Sequence, residues 1–201
     1  QLARLGFDAW TRDFAPVEFR LEAVATRSPA SAERTALAFR QWTGHAPRTY
    51  SGETPWEAML RDWPDLDVVA VATPDHLHTA VILAALNAGA HVLTEKPMCL
   101  EIAEADQIID LARAKGRVVA VDMHKRYDPD HLRVQGEVRD RIGEPLYGTA
   151  YLEEPLEVST STFKWAAQSD PFSYVGPHWV DLLYHYYHSK PVSLTAVGQK
   201  K

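Results

Sequence analysis

Ala88-Gly89-Ala90-His91-Val92-Leu93-Thr94-Glu95-Lys96-Pro97 is the stretch on which the fold of this chain turns. Ahead of it, the helical pattern Ala80, Val81, Leu83, Ala84, Leu86 stops at Gly89, the residue best able to take the left-handed conformation that follows a helix. His91 to Thr94 then reads as a short strand, so Glu95 and Lys96 fall at a strand's carboxyl end, and Pro97 fixes the backbone φ just beyond them. In open α/β sheets that rim is where ligands bind. Lys96 is therefore a candidate functional group, against the competing reading of a solvated Glu/Lys pair in a turn.

Outward from this stretch the same logic repeats. Phe19 to Ala25 suits a buried strand, and Ser28-Pro29 supplies an N-cap and first-turn proline for a helix to about Trp42, ended by Gly44. Thr54-Pro55-Trp56-Glu57 reads as a capping box for a helix to about Asp62, followed by an apolar strand from Asp67 to Thr73 that Pro74 closes. A helix over about His78 to Ala88, the strand His91 to Thr94, a helix from Glu101 to Lys115 ended by Gly116 and a strand from Val118 to Val121 complete the series. Alternation of this kind predicts an α/β, Rossmann-type, doubly wound parallel sheet with helices on both faces.

After about residue 124 the pattern changes to a helix near Pro129 to Asp140, a Gly143-Glu144-Pro145 turn, and a strand from Leu146 to Leu152. A polar, mobile loop over Glu157 to Gln168 and a helix opening at Gly176-Pro177 follow. The expected domains are 1–124, a Rossmann-type dinucleotide-binding domain, and 125–201, the start of an α+β substrate domain.

Composition narrows the function. The 201 residues are 46% hydrophobic and 24% charged, with a formal net charge of -6, and the Lys and Arg residues are scattered, which argues against a nucleic-acid surface. The single cysteine, Cys99, excludes an intrachain disulfide. No apolar run approaches the roughly 20 residues of a membrane span, and no secretion signal opens the chain, so a cytoplasmic protein without membrane partners is expected.

Three other clusters carry candidate chemistry. Thr73-Pro74-Asp75-His76-Leu77-His78 ends the Asp67 to Thr73 strand at the same rim as Lys96; His76 and His78 form an HxH pair, and contact with a cofactor by Thr73, Pro74, His76 and His78 is favoured over zinc because no third ligand is near in sequence. Thr26-Arg27-Ser28 ends the first strand, where a dinucleotide fold usually carries an acid for the ribose 2′-hydroxyl. An arginine between two hydroxyls suits a 2′-phosphate instead, favouring NADP over NAD, against a solvated arginine in a turn. His178, Asp181, His185 and His188 share one helix face. They form either a metal site or, as favoured here, a cleft-facing His178 and Asp181 with surface histidines beyond.

Ala-Gly-Ala-His-Val-Leu-Thr-Glu-Lys-Pro, the preceding Ala-Thr-Pro-Asp-His-Leu-His and the later Gly176-Pro177-His178-Trp179-Val180-Asp181 resemble the glucose-fructose oxidoreductase and inositol dehydrogenase family, Gfo/Idh/MocA, over about residues 20 to 198. His124-Lys125-Arg126-Tyr127-Asp128-Pro129 resembles that family's basic-aromatic segment after its sixth strand. The resemblance implies an NAD(P)-dependent oxidoreductase of sugars, cyclitols or related polyols, commonly a homo-oligomer. It makes Lys96 the catalytic lysine and His178 the catalytic histidine; Lys96 would hold the substrate oxygen and lower its pKa, with Asp181 beside the substrate, Lys125 and Arg126 toward the cofactor, and Glu95 steadying Lys96 or reaching the ribose. Many members carry Asp four residues before the histidine; Tyr174 stands there in this chain, so His178 or Tyr174 would take the substrate's hydroxyl proton. Gln1 to Gly6 resembles the tail of the helix after the family's Gly-rich phosphate turn. The chain is accordingly expected to be incomplete, lacking that turn and most of the C-terminal sheet, and weak or inactive alone. The rival expectation is a truncated or degenerate binding module of the same fold.

Overall fold

The computed structural model describes residues 20–144, 146–151 and 153–197. The expected helix tail at Gln1 to Gly6 lies outside them, as do Phe19, Pro145 and Leu152. The chain forms two compact units, Gln1–Trp63 and Pro64–Lys201.

In the first unit, β1 (Ala23–Thr26) leads into α1 (Pro29–Thr43), then β2 (Arg48–Ser51) and α2 (Pro55–Asp62). The two strands pair in parallel, Ala23 opposite Arg48 through Thr26 opposite Ser51. Strand β2 is not anticipated by the sequence pattern, because of Arg-Thr-Tyr-Ser only Tyr50 is buried. Its hydroxyl donates to Asp62 Oδ2 at 3.0 Å, tying β2 to the end of α2. The expected capping box does not form: the Thr54 side chain makes no cap hydrogen bond, and the Glu57 N–H reaches the Thr54 carbonyl instead, at 3.1 Å.

The second unit opens with β3 (Val68–Val71), α3 (His78–Asn87), β4 (His91–Thr94), α4 (Ile102–Lys115) and β5 (Val119–Val121). The strands are parallel in the order β3-β4-β5, as helical crossovers require. Alternation along β3 and β4 buries Val69, Val71, Val92 and Thr94 on one side, together with Val81, Ile82, Ala85 and Leu86 of α3 and Ile108 and Ala112 of α4. Gly89, at φ +88°, makes the left-handed turn out of α3, and Gly116, at φ +62°, does the same after α4. Both glycines are the stops the sequence announces.

Beyond β5, a short turn over His124–Tyr127 leads to α5 (Pro129–Glu137), capped by the Asp128 carboxylate accepting from Asp130 N–H at 2.9 Å. No strand follows β5 among the described residues, which corrects the expected strand at Leu146 to Leu152. A strand needs a neighbour to complete its ladder, and none of the described residues supplies one. Glu157 to Gln168, expected as a loop, contains helical turns at Val158–Thr162 and Ala166–Gln168. Thr160 and Ser161 hydroxyls bond back to the carbonyls of Leu156 and Glu157 at 3.0 and 2.9 Å.

Helix α6 (Pro171–Tyr187) starts five residues earlier than expected. Asp170 caps it by accepting from Ser173 N–H at 2.9 Å, and Pro171 fills the first turn, a stronger start signal than Gly176-Pro177. Tyr174 and His178 thereby lie one turn apart on a single helix. Among the described residues no helix is long and apolar enough to cross a membrane.

Candidate active site

The second unit holds a cavity of about 450 Å³, within the range of small-molecule sites. Its walls come from three places: Thr73, Asp75 and His78 after β3, Glu95 and Lys96 after β4, and Tyr174 and His178 on α6. His124, Lys125, Glu154, Phe163 and Trp165 also line it. Lys96 and His178, 82 residues apart by the numbering, thus face one space.

His78 holds the two strand-end loops in register. It is fully buried, with Nδ1 at 2.6 Å from the Pro97 carbonyl and Nε2 at 2.8 Å from the Thr73 carbonyl. Its ring therefore clamps the β3 and β4 exits together, and it has no nitrogen left for a metal. His76, its HxH companion, is exposed and does not line the cavity. Pro74 precedes the turn Asp75–Leu77 and its carbonyl accepts from Leu77 N–H at 2.8 Å.

Lys96 is 9% exposed. Its Nζ donates to the Tyr174 carbonyl at 2.5 Å and lies 4.1 Å from the centroid of the Tyr174 ring. Burial pulls the ammonium below its ordinary lysine value, while Asp75, Glu95 and Glu154 oppose that shift by favouring the charged form. Asp75 is itself buried and accepts from Ser169 Oγ at 2.9 Å.

His178 is also 9% exposed. Burial first, then electrostatic repulsion from Lys96, His124 and Lys125, lowers its pKa to about 4, with Asp181 opposing. The imidazole is therefore neutral across the physiological range, the state a proton acceptor needs. Its Nδ1 is buried without a partner, and so is Thr73 Oγ1 in the same cavity. Buried polar atoms normally have partners, so the cavity presents two atoms that a bound molecule can satisfy.

Arg126 and Asp181, read from the sequence as cofactor and substrate contacts, bind each other. Arg126 Nε and Nη2 donate to the two Asp181 oxygens at 2.7 and 2.5 Å. Donating these hydrogen bonds to Asp181 is the main reason the Arg126 guanidinium is held above its ordinary value. Neither lines the cavity; their fork ties the turn after β5 to α6 one turn beyond His178. Asp181→Ala is expected to destabilise the protein by about 1–3 kcal/mol, measured by urea unfolding.

The alternative metal face on α6 does not assemble. Both Asp181 oxygens are taken by Arg126, His185 Nε2 receives the Gln135 side-chain amide at 2.9 Å, and among the described residues no cluster of three or more metal-ligating side chains occurs.

In the first unit, Thr26 closes β1 and its Oγ1 donates to the Ser28 carbonyl at 2.7 Å. Arg27 is exposed and lies 3.7 Å from Glu53. Asp75, His124, Glu154, Phe163 and Trp165 also line the cavity without being candidates from the sequence. Asp75 carries a signal in its place in Thr-Pro-Asp at a strand end and His124 in opening the basic-aromatic segment; the other three sit in stretches without periodicity.

A family model described as an oxidoreductase family with an NAD-binding Rossmann fold matches residues 8–123. Among curated proteins, the chain is 37% identical over 94 residues to the 1,5-anhydro-D-fructose reductase of Ensifer adhaerens, a match covering 46% of this chain and 28% of that protein. It is 36% identical over 99 residues to the inositol 2-dehydrogenase of Acidothermus cellulolyticus, covering 48% and 29%. Less than a third of each relative's length is thus matched. The crystal structure of myo-inositol 2-dehydrogenase from Lactobacillus plantarum shares the fold with TM-score 0.74 at 24% identity, covering 96% of this chain and 56% of that one.

Proposed function

The chain belongs to the oxidoreductase family with an NAD-binding Rossmann fold, and on that premise we propose that it oxidises or reduces a CH–OH carbon of a sugar, cyclitol or related polyol with NAD or NADP. The observation that carries the reading is the shared cavity: a buried lysine at a strand's carboxyl end and a buried neutral histidine on the facing helix. Two unpartnered polar atoms line that space, and a strand-end rim is where dinucleotides bind. These residues fit a nicotinamide beside a hydroxylated substrate.

The bound dinucleotide supplies the hydride acceptor or donor. In the oxidative direction His178 takes the hydroxyl proton from the substrate. Lys96 donates a hydrogen bond to the same oxygen and stabilises the negative charge that grows there, an effect strengthened by the low exposure of the site. Asp75 and Glu95 favour the charged form of the lysine against its burial, and Thr73 Oγ1 is free to bind the incoming molecule. In the first unit, the exposed Arg27 beside the Ser28 hydroxyl has the chemistry to favour a ribose 2′-phosphate, the Thr26 hydroxyl being spent on the Ser28 carbonyl.

Initial rates with NAD and NADP across a panel of inositols, aldoses and their glycosides test this reading. Reduction of either dinucleotide by at least one cyclic polyol is the expected result. Dinucleotide binding with no turnover of any polyol would support a binding module in its place.

A further inference from the structure

Tyr174 precedes His178 by one helical turn, and both its ring and its main-chain carbonyl meet Lys96. The Nζ donates to that carbonyl at 2.5 Å and lies 4.1 Å from the ring centroid. An ammonium over an aromatic face is attracted by the ring quadrupole, and the attraction grows as water is removed. At 9% exposure Lys96 has lost most of its hydration, so this contact counts for more than a surface one.

The ring is fixed in place. Phe163 and Trp165 meet it edge-on, with centroids 5.3 and 6.3 Å away. The Tyr174 N–H donates to the Asp170 carbonyl at 3.0 Å, anchoring its backbone in the first turn of α6. Tyr174 is therefore a rigid shelf on which the lysine rests.

We propose that Tyr174 is the positioning residue for Lys96, acting through its ring face and main-chain carbonyl, and that its hydroxyl is not the substrate's proton acceptor. The inference rests on the reading of Lys96 as the catalytic lysine. Burial, with Glu154, Asp75 and Glu95 adding to it, pushes the phenol above its ordinary value, so the hydroxyl keeps its own proton at neutral pH. The proton goes to His178, which is already neutral. The ring also takes up part of the task of keeping Lys96 charged, beside Asp75, Glu95 and Glu154, and in opposition to burial.

The test is the acid-dissociation constant of Lys96, followed by NMR of isotope-labelled lysine side chains and assigned by loss of the resonance in Lys96→Met. Tyr174→Leu and Tyr174→Met, which remove the ring but keep the carbonyl, are expected to raise that constant by about 2- to 30-fold. Tyr174→Phe, which removes only the hydroxyl, is expected to restore the original value. A shift in Tyr174→Phe as large as in Tyr174→Leu, or no shift in any of the three, would overturn the proposal. Titration requires no turnover, so its failure is separate from failure of the polyol reading, which the rate assays above decide.

Discussion

Replacing Lys96 by methionine lowers kcat by about 10²- to 10³-fold, the loss expected when one preorganised donor to a developing oxyanion is removed. Methionine keeps the length and apolar stem of the side chain, so the buried position stays filled. The substitution removes the charge that meets the Tyr174 carbonyl and ring. It also removes the second largest influence lowering the His178 pKa, after burial. The acid limb of the kcat/KM profile should therefore move to higher pH in this variant. Steady-state rates across pH check both parts: an unchanged kcat would remove Lys96 from the chemistry, and an unmoved acid limb would separate it from His178. Arginine is not expected to rescue, because its planar guanidinium cannot fit the space of a compact ammonium.

His178→Asn is the second large effect, a fall in kcat/KM of about 10²- to 10⁴-fold, the range for loss of a positioned general base. The unsubstituted protein should keep its activity down to acid pH, because the ring takes up a proton only near pH 4 and not near 6.5. Stability has the same origin. In the folded state the ring resists protonation, whereas in the unfolded chain it protonates near its ordinary value, so the unfolded state binds more protons between pH 6.5 and about 4. Folding stability must fall as pH descends through that window. His178→Asn should lose less stability over the same interval, and urea unfolding at the two ends measures the difference. Equal losses in both proteins would mean that His178 is not the buried neutral group.

Much of the architecture is readable from the chain because it depends on local rules. Gly89 and Gly116 close helices at positive φ, and the apolar runs around Val69 and Val92 form parallel strands between those helices. Strand β2 escapes notice since three of its four residues are polar and exposed and its pairing with β1 is set by tertiary contact. The start of α6 was legible in Asp170-Pro171, a cap and first-turn proline that outranks the later Gly-Pro.

The site divides in the same way. Lys96 announces itself by its place at a strand end, and His178 by the Gly-Pro-His-Trp-Val-Asp motif that carries the family resemblance. The pairing of Arg126 with Asp181 does not, because two charges 55 residues apart carry no sign of which partner they choose. Similarly, Phe163 and Trp165 join the cavity wall from a segment whose Ser and Thr content reads only as loop. The role of Tyr174 lies in its ring face, a geometry no spacing rule encodes.

If Lys96 and His178 act on one substrate oxygen, a double-mutant cycle reveals it. Groups that work as a unit show strongly non-additive losses. Lys96→Met combined with His178→Asn should therefore be no more than about tenfold slower in kcat than the worse single variant. Losses that multiply, with the double variant slower by the full product of the two single effects, would contradict the claim.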